Sequence, residues 1–255
     1  MTGRLIGWMT ALLFVGSLLM IELGYRYRLR RLVRADESSS AGIGAVSAAV
    51  LSLMGLVLAF SFSNAAGRLD ASAKSILNEA TAIETAWQRL DVAEPQQQPR
   101  LKQLYRNYVD ARVSAYEALP ELAEYERQSQ IAESVLNEIW PVAVEGTSVT
   151  VNRPLLLSAL NGLSDAAEAR ALSLHTHIPT MVLLFLFGIV FVGSLVVGTM
   201  LGNEGNRQWL YRILFAAVLA SVISIIIDME YPRVGMFNLL KDADAMFLDL
   251  SKRVH

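Results

Sequence analysis

The sequence predicts an all-α membrane protein: four transmembrane helices, with a helical extramembrane domain inserted between the second and third. Three observations predict it. The 255 residues are 53% hydrophobic with a mean hydropathy of +0.38, yet 18% are charged, so part of the chain needs lipid and part needs water. Four segments, 5–24, 41–63, 178–201 and 208–228, have the roughly 20 apolar residues that cross about 30 Å of hydrocarbon as helix. Between the second and third of these, apolar residues recur at helical spacing in an otherwise polar stretch. The expected division is a first transmembrane hairpin at 1–63, the helical domain at 64–177, a second hairpin at 178–228 and an amphipathic C-terminal helix at 229–255.

The first span is long for a signal peptide, lacks an A-x-A-like cleavage site and runs into GYRYRLRRLVR, so it reads as a retained anchor. Arginines in short loops stay on the cytoplasmic side. The first loop holds Arg26, Arg28, Arg30, Arg31 and Arg34, which outweigh the isolated Arg4; the last loop holds Arg207, with Arg212 just inside the fourth span. Both loops are therefore expected in the cytoplasm, and both termini and the helical domain outside it. The localisation this implies is a multi-pass protein of the bacterial inner (cytoplasmic) membrane.

The second span leaves the hydrocarbon without a stop signal. GLVLAFSFSNAAGRLDASAK, residues 55–74, has no proline and no turn cluster, so span and first domain helix read as one rod over about 41–90. At 1.5 Å per residue that is about 75 Å. Its domain part carries Leu69, Ala73, Ile76, Ala80, Ile83, Trp87 and Leu90 at spacings of three and four, one buried stripe. DVAEPQQQP, 91–99, breaks it. A second helix carries Leu101, Leu104, Tyr108, Ala115 and Leu119; a third carries Ile131, Val135, Leu136 and Ile139 and is expected to end at Pro141. EGTSVTVNRP, 145–154, reads as a loop or short extended run. A fourth helix, from Pro154 to about Thr176, aligns Leu156, Leu160, Leu163, Ala167, Ala171 and Leu174. Beyond Pro232, Phe237, Leu240, Ala243, Phe247 and Leu250 share a face that suits the membrane surface or the bundle.

The inventory of reactive groups points away from enzymes. There are no cysteines, hence no disulfides and no thiolate chemistry. His175 and His177, two apart on a helix, diverge by about 200° and serve better as interfacial anchors than as metal ligands. Asp242, Asp244 and Asp249, and Glu121, Glu124 and Glu126, lack a nearby nucleophile, histidine base or phosphate loop and read as solvated faces. We expect no catalytic residue, cofactor or metal, and at a net charge of −2 no nucleic-acid partner.

Three polar or small-residue patterns remain. Gly44, Ala48, Ser52, Gly55, Ala59 and Ser63 share one face of the second span, which suits close helix packing against another span or another subunit, or a water-filled path. Ser61, Asn64, Arg68, Ser72, Ser75 and Glu79 form a polar stripe expected opposite the apolar one. They are pore-lining candidates if subunits surround an axis, and otherwise a solvent face. In the fourth span Ser221, Ser224 and Asp228 lie a turn apart, with Asp228 at the expected outer boundary.

FSFSNAAGRLD, NEATAIETAWQRLD, RNYVDAR, PLLLSALNGLSDAAEAR and IIIDMEYPRVG, in that order, resemble the bacterial bestrophin-like family from about residue 55 to 250. The resemblance implies kinship with bestrophins, pentameric anion channels with four spans and a large helical domain between the second and third. Bestrophin domains are cytosolic, whereas the arginines here place the domain outside. Two function classes follow: an oligomeric channel or pore of unknown ion, or a non-conducting envelope scaffold or sensor with a helical extracytoplasmic domain. The expected partners are the lipid bilayer, further copies of the chain and, for a channel, small inorganic ions.

Overall fold

The computed structural model describes residues 3–32, 40–147, 152–176, 178–202, 209–235 and 237–254. Arg34, His177, Arg207 and residues 148–151 of the expected loop lie outside them. Among the described residues the regular structure is helical: α1 (Gly3–Leu32), α2 (Ser40–Arg89), α3 (Gln98–Ala118), α4 (Leu122–Glu145), α5 (Asn152–His175), α6 (Thr180–Leu201), α7 (Trp209–Glu230), α8 (Lys241–Leu248) and α9 (Leu250–Val254). The four apolar helices α1, α2, α6 and α7 are long enough to cross a membrane. α2 runs unbroken for 50 residues and closes in a single 3-10 turn, Leu90–Val92.

The chain folds as two compact units, 1–69 with 177–237 and 70–176 with 238–255. In the first, α1, α2, α6 and α7 share a core in which Ile6, Leu13, Met54, Leu58, Leu186, Val190, Ile223 and Ile227 are buried. Trp8, Leu12, Met181 and Leu210 point outward and are exposed, as lipid-facing side chains are. Lipid tails compete with apolar side chains, so helices gain contact there by bringing backbones close. α1 and α6 do this. A Cβ on Gly24 would run into the Leu195 carbonyl oxygen, and one on Gly198 into that of Ile21.

This is not the small-residue face the sequence singles out. Gly44, Ala48, Ser52, Gly55, Ala59 and Ser63 are all exposed, and a Cβ on Gly44 or Gly55 would meet nothing within 4 Å. Among the described residues that face packs against no other span. The reason is rotational: α2 turns Ser47, Met54, Leu58 and Ala65 inward instead.

In the second unit the latter part of α2 joins α3, α4, α5, α8 and α9. Ile76, Ile83, Tyr105, Tyr108, Tyr116, Tyr125, Ile139, Leu156, Leu160 and Leu163 fill its interior. Two expectations are corrected here. Pro141 does not end the third domain helix: α4 continues through it to Glu145. The carbonyl it leaves without a donor belongs to Asn137, which is exposed, so water can take it. On the same helix Ala132, not Ile131, faces inward.

The C-terminal segment is two short helices rather than one, and it belongs to this second unit. Phe247 stacks on Tyr116 with ring centroids 3.6 Å apart, Leu240, Leu250 and Val254 are buried, and Arg253 pairs with Glu84 at 2.6 Å. Phe237, counted on that face from its spacing, is exposed.

Gly24→Ala and Gly198→Ala should each destabilise the protein by about 1–3 kcal/mol or more, because the methyl group separates two backbones. Gly44→Ala should be neutral within the subunit. Thermal unfolding in detergent distinguishes them, and equal midpoints for all three variants would refute the close α1–α6 approach.

Candidate functional site

The polar residues of α2 define the region to examine, and the structure changes their setting. Glu79 stands three residues after Ile76 and four before Ile83, both wholly buried. Residues three and four apart share a helix face. The polar stripe therefore borders the apolar one instead of opposing it. Asn64 is exposed and Ser61 partly so, whereas Arg68, Ser72 and Ser75 are half-buried and Glu79 is 0% exposed. Glu79 does not stand on an exposed surface of the subunit, and the stripe is not a solvent face along its length.

Two ion-pair assemblies account for this. In the first unit, Arg68 Nε donates to Glu230 Oε2 at 2.8 Å. Glu230 lies at the end of α7 with its side chain 1% exposed, and its other oxygen accepts the Ile178 backbone N–H. One carboxylate thus holds α2 and the start of the segment leading into α6. Nearby, Asp228 is buried rather than solvated, and Gly235 keeps room for it: a Cβ there would lie 2.6 Å from Asp228 Oδ1. Ser224 is buried and shares a 2.9 Å hydrogen bond with Thr10 on α1, while Ser221 faces outward, so these three do not form one polar line.

In the second unit, Glu79 is the acceptor at the centre of a buried network. Arg112 donates to its Oε1 from Nε at 2.6 Å and lies within 2.5 Å through Nη2. Tyr116 Oη donates to its Oε2 at 3.0 Å. The same Tyr116 oxygen accepts from Arg170 Nε at 3.0 Å. Arg112 also donates to Ser129 Oγ and Tyr125 Oη, and Arg170 Nη1 to the hydroxyls of Ser173, Ser72 and Ser75. Burial pushes the Tyr105, Tyr108 and Tyr116 phenols above their ordinary range. Burial alone would lower the Arg112 guanidinium, but Glu79 beside it, with Tyr125, outweighs that and moves it upward. The phenols are therefore neutral, Tyr105 and Tyr116 acting as donors, and Arg112 is a fixed cation.

A third pair, Arg212 with Glu22 at 2.7 Å, joins α7 to α1, and the Arg212 guanidinium lies 4.0 Å from the Tyr25 ring centroid. Sequence reasoning used Arg212 only as a topological charge and overlooked Glu22, Glu230, Arg112 and Arg170. Their signal was present as rarity: a charged residue within an apolar helical stripe needs a partner.

The remaining acids behave as surface groups. Glu124 is held down to about 2 by hydrogen bonds from Arg127 and Gln128, and Asp249 is lowered by Lys252. His175 lies 3.5 Å from Glu126, both half exposed. Among the described residues no three metal-ligating side chains gather. What the geometry provides is buried charge compensation on one long helix, beside an uncovered small-residue face.

Glu79→Gln should leave two buried guanidinium groups without a carboxylate and cost about 3–5 kcal/mol. Chemical denaturation of the purified protein would measure it, and a loss below about 1 kcal/mol, the range of an exposed pair, would show the network to be dispensable.

A family model described as the bestrophin-like domain matches residues 12–243. No curated protein matches the chain at a significant level. Among solved structures, a variant of a bacterial bestrophin homolog from Klebsiella pneumoniae aligns with a TM-score of 0.67 at 14% identity, covering 97% of this chain and 98% of that one. A second variant of that homolog aligns with a TM-score of 0.66 at 14% identity, covering 94% and 98%. The crystal structure of a membrane protein variant aligns with a TM-score of 0.68 at 13% identity, covering 98% of each chain. At these identities the likeness is one of fold.

Proposed function

This chain belongs to the bestrophin-like family, and from that premise we propose that it is one subunit of an oligomeric ion channel in the bacterial inner membrane. The observation that carries the reading is α2. Its face of Gly44, Ala48, Ser52, Gly55, Ala59 and Ser63 is uncovered in the subunit, as a surface for a neighbouring copy would be. On an adjacent face Leu53, Leu56 and Phe60 recur at three and four residues, each more than half exposed. With the small faces in contact, these apolar side chains would narrow a central path that gates by dewetting, and Asn64 would follow one turn beyond Phe60. Arg68 and Glu79 contribute through their internal pairs, Arg68 keeping some exposure and Glu79 none.

One observation favours the alternative, a non-conducting envelope scaffold or sensor. The charges of the α2 stripe are already satisfied inside the subunit, which leaves few to select an ion. Conduction separates the two. Reconstituted protein should conduct, and Asn64→Asp and Asn64→Lys should shift the reversal potential in asymmetric salt in opposite directions, toward cations and anions respectively. Absence of conductance from the parent protein in every salt would leave the scaffold.

For sidedness we propose that 70–176 lie outside the cytoplasm, supported by Arg26, Arg28 and Arg30 at the end of α1. The chain has no cysteine, so Gln97→Cys introduces a unique label site at a partly exposed position of the turn that follows exposed Glu94, Pro95 and Gln96. A membrane-impermeant maleimide should label it in intact spheroplasts. Labelling only after permeabilisation would reverse the orientation.

A further inference from the structure

The outward face of α1 changes character once along its length. Trp8, Leu12, Val15, Leu19 and Leu23 recur at spacings of four, three, four and four, and each is more than half exposed. Residues three and four apart share a helix face, so this is one apolar stripe turned away from the bundle. Three residues beyond Leu23 the same face carries Arg26, and four further on Arg30, both exposed. Val15 to Leu23 spans about 12 Å at 1.5 Å per residue, close to the depth of one leaflet of hydrocarbon about 30 Å thick. The stripe is apolar over the length of an acyl chain and cationic where a headgroup would follow.

The packing at this end leaves positive charge over. Glu22 is shared: one of its oxygens accepts from Arg26 Nε and the other from Arg212 Nη1, each at 2.7 Å. Arg212 is buried, with its guanidinium 4.0 Å from the Tyr25 ring centroid and 5.4 Å from that of Trp209. Half of the carboxylate is thus spent on an inner cation, and the Arg26 side chain beside it stays 63% exposed. Over residues 22–37 and 204–212 seven arginines stand against four acids, an excess of three. Tyr27 and Trp209 are about half exposed at the same end, where aromatic rings mark the headgroup level.

We propose that Arg26 and Arg30, flanked by Tyr27 and Trp209, hold the phosphodiester of one anionic phospholipid in the leaflet where α1 ends, with an acyl chain along Val15, Leu19 and Leu23. A guanidinium fork matches two phosphate oxygens. The unbalanced positive charge favours a headgroup with net negative charge over a zwitterionic one, whose own amine would meet the arginines. A second copy packed through the same face would set arginine against arginine, which is unfavourable. A free phosphate would use the arginines and leave the stripe below them unused. The site lies within the membrane unit and depends neither on conduction nor on the side of the membrane on which residues 70–176 lie.

The test titrates delipidated full-length protein in detergent with phosphatidylglycerol or phosphatidylcholine of identical chains, and reads bound lipid by native mass spectrometry. Phosphatidylglycerol should bind at one per subunit in preference to phosphatidylcholine, and equimolar inorganic phosphate should not displace it. Arg30→Gln should weaken phosphatidylglycerol about fivefold and the Arg26→Gln, Arg30→Gln pair about thirtyfold, with phosphatidylcholine unchanged. Arg30→Gln alters an exposed side chain, and an unfolding midpoint equal to that of the parent would show that the loss is one of binding. Equal retention of the two lipids, unchanged affinity in the double variant, or displacement by equimolar phosphate would each overturn the assignment.

Discussion

Glu79 is the group around which the interior of the helical unit is arranged. It sits on the same side of α2 as Ile76 and Ile83, so the helix cannot bury its apolar stripe without burying this carboxylate as well. An isolated buried charge is prohibitive, and the unit answers by converging Arg112 from α3, Tyr116 one turn later on the same helix and Arg170 from α5. Once those partners are drawn in, α2, α3 and α5 can meet in few registers. The C-terminal segment completes the enclosure, because Phe247 covers the Tyr116 ring.

The membrane unit solves a different problem. Its helices gain little from hiding apolar side chains from water, since lipid is equally apolar. Contact comes from backbone approach at Gly24 and Gly198, and orientation from three polar contacts: Thr10 with Ser224, Arg212 with Glu22, and Arg68 with Glu230. None of these involves the small-residue face of α2. That a helix with so much small surface is left open, while closeness is achieved elsewhere, supports the proposed assembly around α2 more than the polar stripe does.

The structure moves charge away from the surface on which selectivity would act. A channel built from this subunit would present Leu53, Leu56, Phe60 and Asn64 to its axis rather than rings of arginine and glutamate. In the proposed channel such a path would be controlled by wetting and by one neutral polar side chain, so the size of an ion and the cost of dehydrating it would matter more than its sign.

The sequence by itself determined the helical class, the four spans, the unbroken run of α2 and the break that follows it. These depend on local quantities: apolar length against bilayer thickness, spacing along one helix, and the absence of proline between 55 and 74. It also carried the family resemblance that the match over 12–243 establishes. What only the tertiary structure decided is which face of each helix turns inward and which distant residues meet there. The pairs Arg68–Glu230, Glu22–Arg212 and Glu79–Arg112 join residues far apart in sequence, and no periodicity within one helix encodes them. The small-residue face of α2 signalled close packing against another span or another subunit, or a water-filled path, because glycine and alanine mark closeness without naming the partner; the fold leaves that face open within the subunit. The polar stripe suggested a pore lining or a solvent face because a helix-by-helix reading cannot see a partner arriving from another helix, as Arg112 does at Glu79. Pro141 looked like a stop because its local cost is real, and the exposure of Asn137, which lets water meet that cost, is a property of the folded unit.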